Sequence, residues 1–318
     1  MHSKATGKTT VLLNPNWPEA AWNLCGVFAS DAQLLMLHDR LLSRHRLKPI
    51  ARVHGAIPSQ WSGARFPGHL DNIANIGPIL QGYAEKGMSV TVDFTGANAG
   101  SRLDDHLGNF ILLCLSRFNA GGNGVCVCDD ALAAHVRQHH PNLKIAAASA
   151  KADQENGRGR LDYYQGLEGR YDLIQIHPDD NLDLDLLSRL EHRQLYEFTV
   201  NDPCIRNCPD RKAHHQADSD HYFNFLDSKA VKQGMDLVFR NGCENFQNLL
   251  LSKEKRTLVL STHDLRRIYD LGFRNFQIDD GGRANDASRL VMSLHWLLSD
   301  DPDQDHLSAR VIVDLLMK

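Results

Sequence analysis

The sequence predicts an α/β fold, a single (β/α)8 TIM barrel, and three observations predict it. Short apolar or β-branched runs alternate with amphipathic helical stretches through the whole chain, the pattern of parallel strands joined by helical crossovers. Eight such runs can be counted in 318 residues, a length that suits one barrel. Polar residues recur where the runs end, which is where a barrel carries its chemistry.

The strands are placed, in order, at Thr10–Asn14, Ile50–His54, Ser89–Phe94, Gly124–Cys128, Lys144–Ser149, Tyr171–His177, Leu195–Asn201 and Arg274–Asp279. Helical patterns lie between them at Asp31–Arg46, His69–Glu85, Arg102–Phe118, Asp130–His139, Asn181–His192 and Asp264–Leu271, with Ala287–Leu298 after the last strand. Residues 202–255 form a long polar, cysteine-containing insertion after strand seven, and long irregular connections are usually functional. Arg256–Ser261 is a further strand-like run: either a short extra strand, or the true eighth strand with Arg274–Asp279 outside the barrel. Within 303–318, His306–Met317 reads as a terminal packing helix, and the whole chain reads as one domain.

Composition narrows the function. The hydrophobic content of 42% supports a large core. A net charge of −4 with no long Lys/Arg run gives no nucleic-acid footprint. No apolar run is long enough to span a membrane, and the N-terminus lacks an apolar signal core. Seven cysteines, an odd number in a long chain, argue against a disulfide framework. The expectation is a cytoplasmic protein with a small-molecule substrate.

The densest chemistry lies in Asn201-Asp-Pro-Cys-Ile-Arg-Asn-Cys-Pro-Asp-Arg-Lys-Ala-His-His215. Turn formers hold this stretch open, and Cys204 and Cys208 sit in polar surroundings where thiols gain nothing from burial. Soft thiolates so close together suggest an iron–sulfur or zinc site. A third thiol, Cys243, lies in another turn, Arg240-Asn-Gly-Cys243. Zinc would take Cys204, Cys208, Cys243 and either His214 or His215; a cluster could use the three cysteines and leave one iron open. The spacing also suggests the start of a radical SAM motif, but position 211, where the next cysteine belongs, is Arg211. Cys126 and Cys128 share a strand face and read as small buried hydrophobes, Cys114 as helix core, and Cys25 is ambiguous.

The strand-end residues are Asn14, Asn16, His54, Asp93, Ser149, Lys151, His177, Asn201, Asp279 and Asp280. Singly, such residues often cap helices or form turns; together they mark one face of a barrel. Alternation on strand seven sets Glu197, Thr199 and Asn201 against Tyr196, Phe198 and Val200, which points Glu197 and Asn201 into the barrel. A carboxylate there is costly unless paired, so Glu197 is either catalytic or one half of a structural ion pair with Arg52 or Arg65. Catalytic roles fall to Glu197, Asn201, Arg211, His214 and His54, and substrate binding to Arg65, Lys151, Asp93 and His177, with Arg65 and Lys151 suited to a carboxylate or phosphate.

Four segments carry a resemblance. They are His54-Gly-Ala-Ile-Pro-Ser-Gln-Trp-Ser-Gly-Ala-Arg65, Tyr171-Asp-Leu-Ile-Gln-Ile-His-Pro-Asp-Asp-Asn181, Glu197–Asn201 running on through Cys204, Cys208, Arg211 and His214, and Ser261-Thr-His-Asp-Leu with Tyr269–Ile278. In order and spacing they resemble the peptidase U32-like TIM-barrel proteins, in particular a small single-barrel bacterial branch. The pattern Asn-x-x-Cys-x-x-x-Cys-Pro-x-Arg-x-x-His is its most specific part. Several relatives carry a [4Fe–4S] cluster and some support oxygen-independent hydroxylation. The resemblance therefore implies an iron–sulfur enzyme with Cys204, Cys208 and Cys243 as ligands, working with a protein partner or redox donor. Those relatives show four cysteines at wider spacings; three match here, with Cys25 or an imidazole to complete the set. Peptidase activity gains no support, since no Ser-His-Asp, Cys-His or His-Glu-x-x-His arrangement is legible. The alternatives are a zinc-dependent hydrolase or lyase, with Glu197 or His54 as base, and a non-catalytic metal-binding accessory protein.

Overall fold

The strands that close the fold are β1 (Ala21–Cys25), β2 (Ile50–Gly55), β3 (Ser89–Phe94), β4 (Gly124–Val127), β5 (Lys144–Ala147), β6 (Leu173–Gln175) and β7 (Tyr196–Thr199). Two strands, β8 (Asn201–Ile205) and β9 (Thr257–Val259), follow before the last barrel strand, β10 (Asn275–Ile278). A computed structural model describes residues 17–45, 50–63, 70–119, 121–223 and 257–279. In it eight strands form a closed parallel barrel in the order β1-β10-β7-β6-β5-β4-β3-β2, a (β/α)8 barrel. The connecting helices are α1 (Asp31–His45), α2 (Ile76–Glu85), α3 (His106–Arg117), α4 (Asp130–His139), α5 (Ala150–Gln154), α6 (Leu161–Leu167), α7 (Leu184–Ser188), α8 (Arg211–Phe223) and α9 (Thr262–Asp270).

Period-two patterning decides what each strand presents to either side. Outward positions are large and apolar: Trp22 and Leu24, Val90 and Val92, Val125 and Val127, Tyr196 and Phe198, Phe276 and Ile278 are all buried in the layer between barrel and helices. Aromatic edges knit that layer together, with Phe198 against Phe273 at 4.9 Å and Trp22 against Phe276 at 5.3 Å between ring centroids. Helix starts are capped where a carboxylate or hydroxyl precedes them: Asp105 for α3, Asp129 for α4, and Ser261 with Asp264 as a capping box for α9. Asn123 braces the base of the barrel, accepting from the Val90 amide and donating to the carbonyls of Leu115 and Phe118.

Two strand assignments change. The first barrel strand is Ala21–Cys25, not Thr10–Asn14, which lies outside the described residues. An inward polar residue, Asn23, interrupts the apolar run there and hides the strand from a search for continuous hydrophobicity. The choice at Arg256–Ser261 resolves to a short extra strand: Thr257–Val259 pairs antiparallel with Asn201–Ile205, while Asn275–Ile278 completes the barrel. The insertion opens with β8 and α8; from residue 224 to 256 it lies outside the described residues, as do Ala287–Leu298 and 303–318. Among the described residues, no helix is long and apolar enough to cross a membrane.

Candidate functional site

The inward face of the barrel is polar. At mid-depth Glu197, 1% exposed, takes Arg52 Nη2 at 2.6 Å on Oε1. Asn23 Nδ2 donates to the same oxygen at 3.3 Å, and Gln175 Nε2 donates to Oε2 at 3.2 Å. Gln277 Oε1 accepts from Gln175 at 2.7 Å and from Asn23 at 3.4 Å, closing the network across five strands. Of the two readings open for Glu197, the ion pair with Arg52 is the one this geometry realises. A buried carboxylate with three donors is neutralised and held in place.

One layer nearer the strand ends, His54 Nδ1 meets Asp93 Oδ2 at 3.0 Å. Burial opposes a charge on this ring, but Asp93, then Asp279 and Glu197, outweigh it and hold the imidazolium to a pKa of about 9. His54 is therefore a proton donor at neutral pH rather than a base. Its Nε2 is buried without a hydrogen-bond partner among the described residues. The folded-state pKa lies above the ordinary 6.5, so the stability this pairing adds is fully present below pH 6.5 and is lost as pH rises toward about 9. Following the His54 ring protons by NMR should give a midpoint near 9 that Asp93→Asn lowers by more than about one unit. A midpoint near 6.5 in the wild type would show that the pair does not hold the proton.

Beside this pair the mouth is lined by small side chains. Cys126, Cys128, Ala146 and Ala148 form a buried cluster separate from the outer core. Burial pushes both thiols up, Cys128 to about 12, so neither is a nucleophile as it stands. Sequence reasoning took the pair as buried hydrophobes, which holds, but its inward-facing place beside Asp93 was not read.

Helix α8 straps over this side of the mouth. His215 Nε2 bonds the Thr95 carbonyl at 2.8 Å, its Nδ1 accepts from Gln154 Nε2 at 3.1 Å, and Cys128 Sγ lies 4.0 Å away. Ser219 Oγ accepts from the Ala97 amide, Asn98 donates to Asp220, and Gln60 donates to the Phe223 carbonyl. The loops after β2 and β3 and helix α5 are thus tied to one helix, with Cys128 after β4 beside it. His215 is the imidazole brought to the barrel; His214, one residue earlier, makes no side-chain hydrogen bond among the described residues.

The thiol segment lies between β7 and α8. Burial pushes the Cys204 thiol up to about 12, with Asp202 and the nearby Cys208 adding to it, although Arg211 pulls the other way. Arg211 reaches Asp202 at 3.3 Å and the Ile205 carbonyl at 3.2 Å. The segment is pinned to the end of β6 through Asp179, whose carbonyl takes Arg206 and whose Oδ1 takes the Asn207 amide. Cys204 and Cys208 would supply two sulfur donors of a cluster or zinc site, whose metal would have to displace their protons. Among the described residues no group of three or more His, Cys, Asp or Glu is disposed around one point, and Cys243 lies outside them.

Several other expected site residues turn out to be occupied. Lys151, 1% exposed, is held by Asp130 at 2.9 Å, Glu155 at 2.6 Å and the Cys128 carbonyl at 3.0 Å, so it serves as a buried tie between helices rather than an open anion site. His177 bonds Asp153 at 3.1 Å through Nε2 and accepts the Asp179 amide at 3.2 Å through Nδ1, leaving no ring nitrogen for a substrate. Asn201 is clamped to Asp279, its amide exchanging two 2.7 Å bonds with the backbone there. Arg65, Asn14, Asn16 and Asp280 lie outside the described residues. His54, Asp93, Ser149, His177 and Asn201 share the end of the barrel where the parallel strands finish.

No protein-family model matches the chain, and no curated protein matches it in sequence. Among solved structures it is similar to the U32 peptidase Mk0906, at 15% identity, with a TM-score of 0.52 over 87% of this chain and 96% of that one. That likeness extends to the barrel fold of a U32 protein.

Proposed function

We propose that the chain is an enzyme built around a thiolate-held iron–sulfur centre, a [4Fe–4S] cluster, on the segment leaving β7. Its substrate is a small polar metabolite, and the reaction is an oxygen-independent hydroxylation or another redox step of a biosynthetic pathway, fed by a protein redox donor. The observation that supports the reading is the placement of Cys204 and Cys208 on the short segment between the barrel strand β7 and the helix that straps the mouth. Cys243 is the third ligand in this reading. When bound, such a cluster supplies one-electron chemistry and an iron position open to substrate. The protein's own residues supply the rest. Arg211 offsets thiolate charge, and His54 holds a proton at the barrel mouth. Of the two basic residues expected to anchor an anionic substrate, Lys151 is spent on Asp130 and Glu155, which leaves Arg65.

Purification without oxygen, followed by iron and acid-labile sulfide analysis, tests this. The expected result is a brown protein with about four irons and four sulfides per chain. One zinc per chain with no sulfide would replace this reading with a hydrolase or lyase, with His54 as acid. A chain that takes up neither metal would overturn the metal reading.

A further inference from the structure

Helix α4 carries a second constellation, far in sequence from the thiols. His135 and His139 stand four residues apart, on one face of the helix, with ring centroids 4.6 Å apart and planes at 49°. Asn109 on α3 fixes how His135 is protonated. Its Nδ2 donates to the carbonyls of Leu103 and Asp105, each at 2.9 Å, which leaves Oδ1 as an acceptor. That oxygen lies 2.9 Å from His135 Nε2. The neutral ring therefore keeps its proton on Nε2 and its lone pair on Nδ1. The buried indole of Trp61 meets the same ring edge-on at 6.0 Å and limits its rotation. His139 is exposed and makes no hydrogen bond among the described residues.

We propose that His135 and His139 form a two-imidazole chelate for a divalent late transition-metal ion, with Asn109 as the outer acceptor that orients His135. Imidazole ligands suit nickel, copper and zinc. Paired histidines at this helical spacing are a recurrent metal-binding arrangement, and an acceptor on the far ring nitrogen raises the basicity of the ligating one. Among the described residues no third His, Cys, Asp or Glu joins them, so water fills the remaining positions and the ion exchanges freely. The site is separate from the thiol centre and does not depend on it.

Nickel(II) titration of the untagged full chain by calorimetry at pH 7.5 is the test. The wild type should bind one ion at this site. His135→Ala and His139→Ala should each weaken it by about tenfold or more. Cys208→Ala should leave it unchanged. His139 is exposed, so its variant keeps the fold, which circular dichroism checks. Absence of binding by the wild type, unchanged binding in either histidine variant, or loss of binding in Cys208→Ala would each overturn the proposal.

Discussion

Cys208→Ala, purified without oxygen, should carry iron and sulfide at background level while its barrel still melts cooperatively. The thiol is 3% exposed, but it packs in the polar segment between β7 and α8, not in the outer core. Removing one sulfur there should cost about 1 kcal/mol. Removing one of few ligands, by contrast, deprives a cluster of a bond that no neighbouring donor among the described residues can replace. Cys126→Ser should behave in the opposite way. It sets a hydroxyl among Cys128, Ala146 and Ala148, at a cost of roughly 1–3 kcal/mol, and keeps the iron. Metal content and thermal melting of both variants decide the matter. If Cys126→Ser loses metal at full stability while Cys208→Ala retains it, the ligands are on β4 and the thiol segment has another role.

Glu197→Ala should lower stability by about 3 kcal/mol in chemical denaturation, the low end for breaking a buried pair, because it leaves the Arg52 guanidinium, 20% exposed, without its partner. Arg52, Asn23 and Gln175 all donate to this carboxylate, so one truncation leaves donors unmatched on three strands. Glu197→Gln keeps the shape and part of the bonding and should lose less. A Glu197→Ala protein that unfolds at the wild-type midpoint yet has lost the activity proposed for the chain would return this residue to a chemical role.

Much of the barrel was legible because its outward strand faces are continuous runs of large apolar residues, as in Val90–Val92 and Val125–Val127. The helix Asp130–His139 was read with its observed bounds for a related reason: Leu132 and Val136 face the core at helical spacing. Helix α8 was read as polar connection, since of its residues Ser219 and Tyr222 alone are buried, too few to show a period. The site divides the same way. Residue types at strand ends were visible, but which of them had partners was not. Lys151 and His177 carry the right chemistry for binding and are already occupied by carboxylates over twenty residues away or on the next turn. His214 and His215 are adjacent in sequence, and only the helix phase distinguishes which ring reaches the barrel.

The way α8 is fastened gives the mouth a clock of its own. Its ties are hydrogen bonds to loop backbone and polar side chains, with Tyr222 the one large apolar residue of the helix that is buried. Such an element detaches at a free energy well below that of global unfolding. Its amides should exchange with deuterium ahead of those in β3 and β4, and the barrel can remain closed while its cover lifts. In the enzyme proposed here, turnover would then divide into chemistry inside the barrel and an admission step set by one helix, and substitutions at Ser219 or Gln60 would change the second without touching the first.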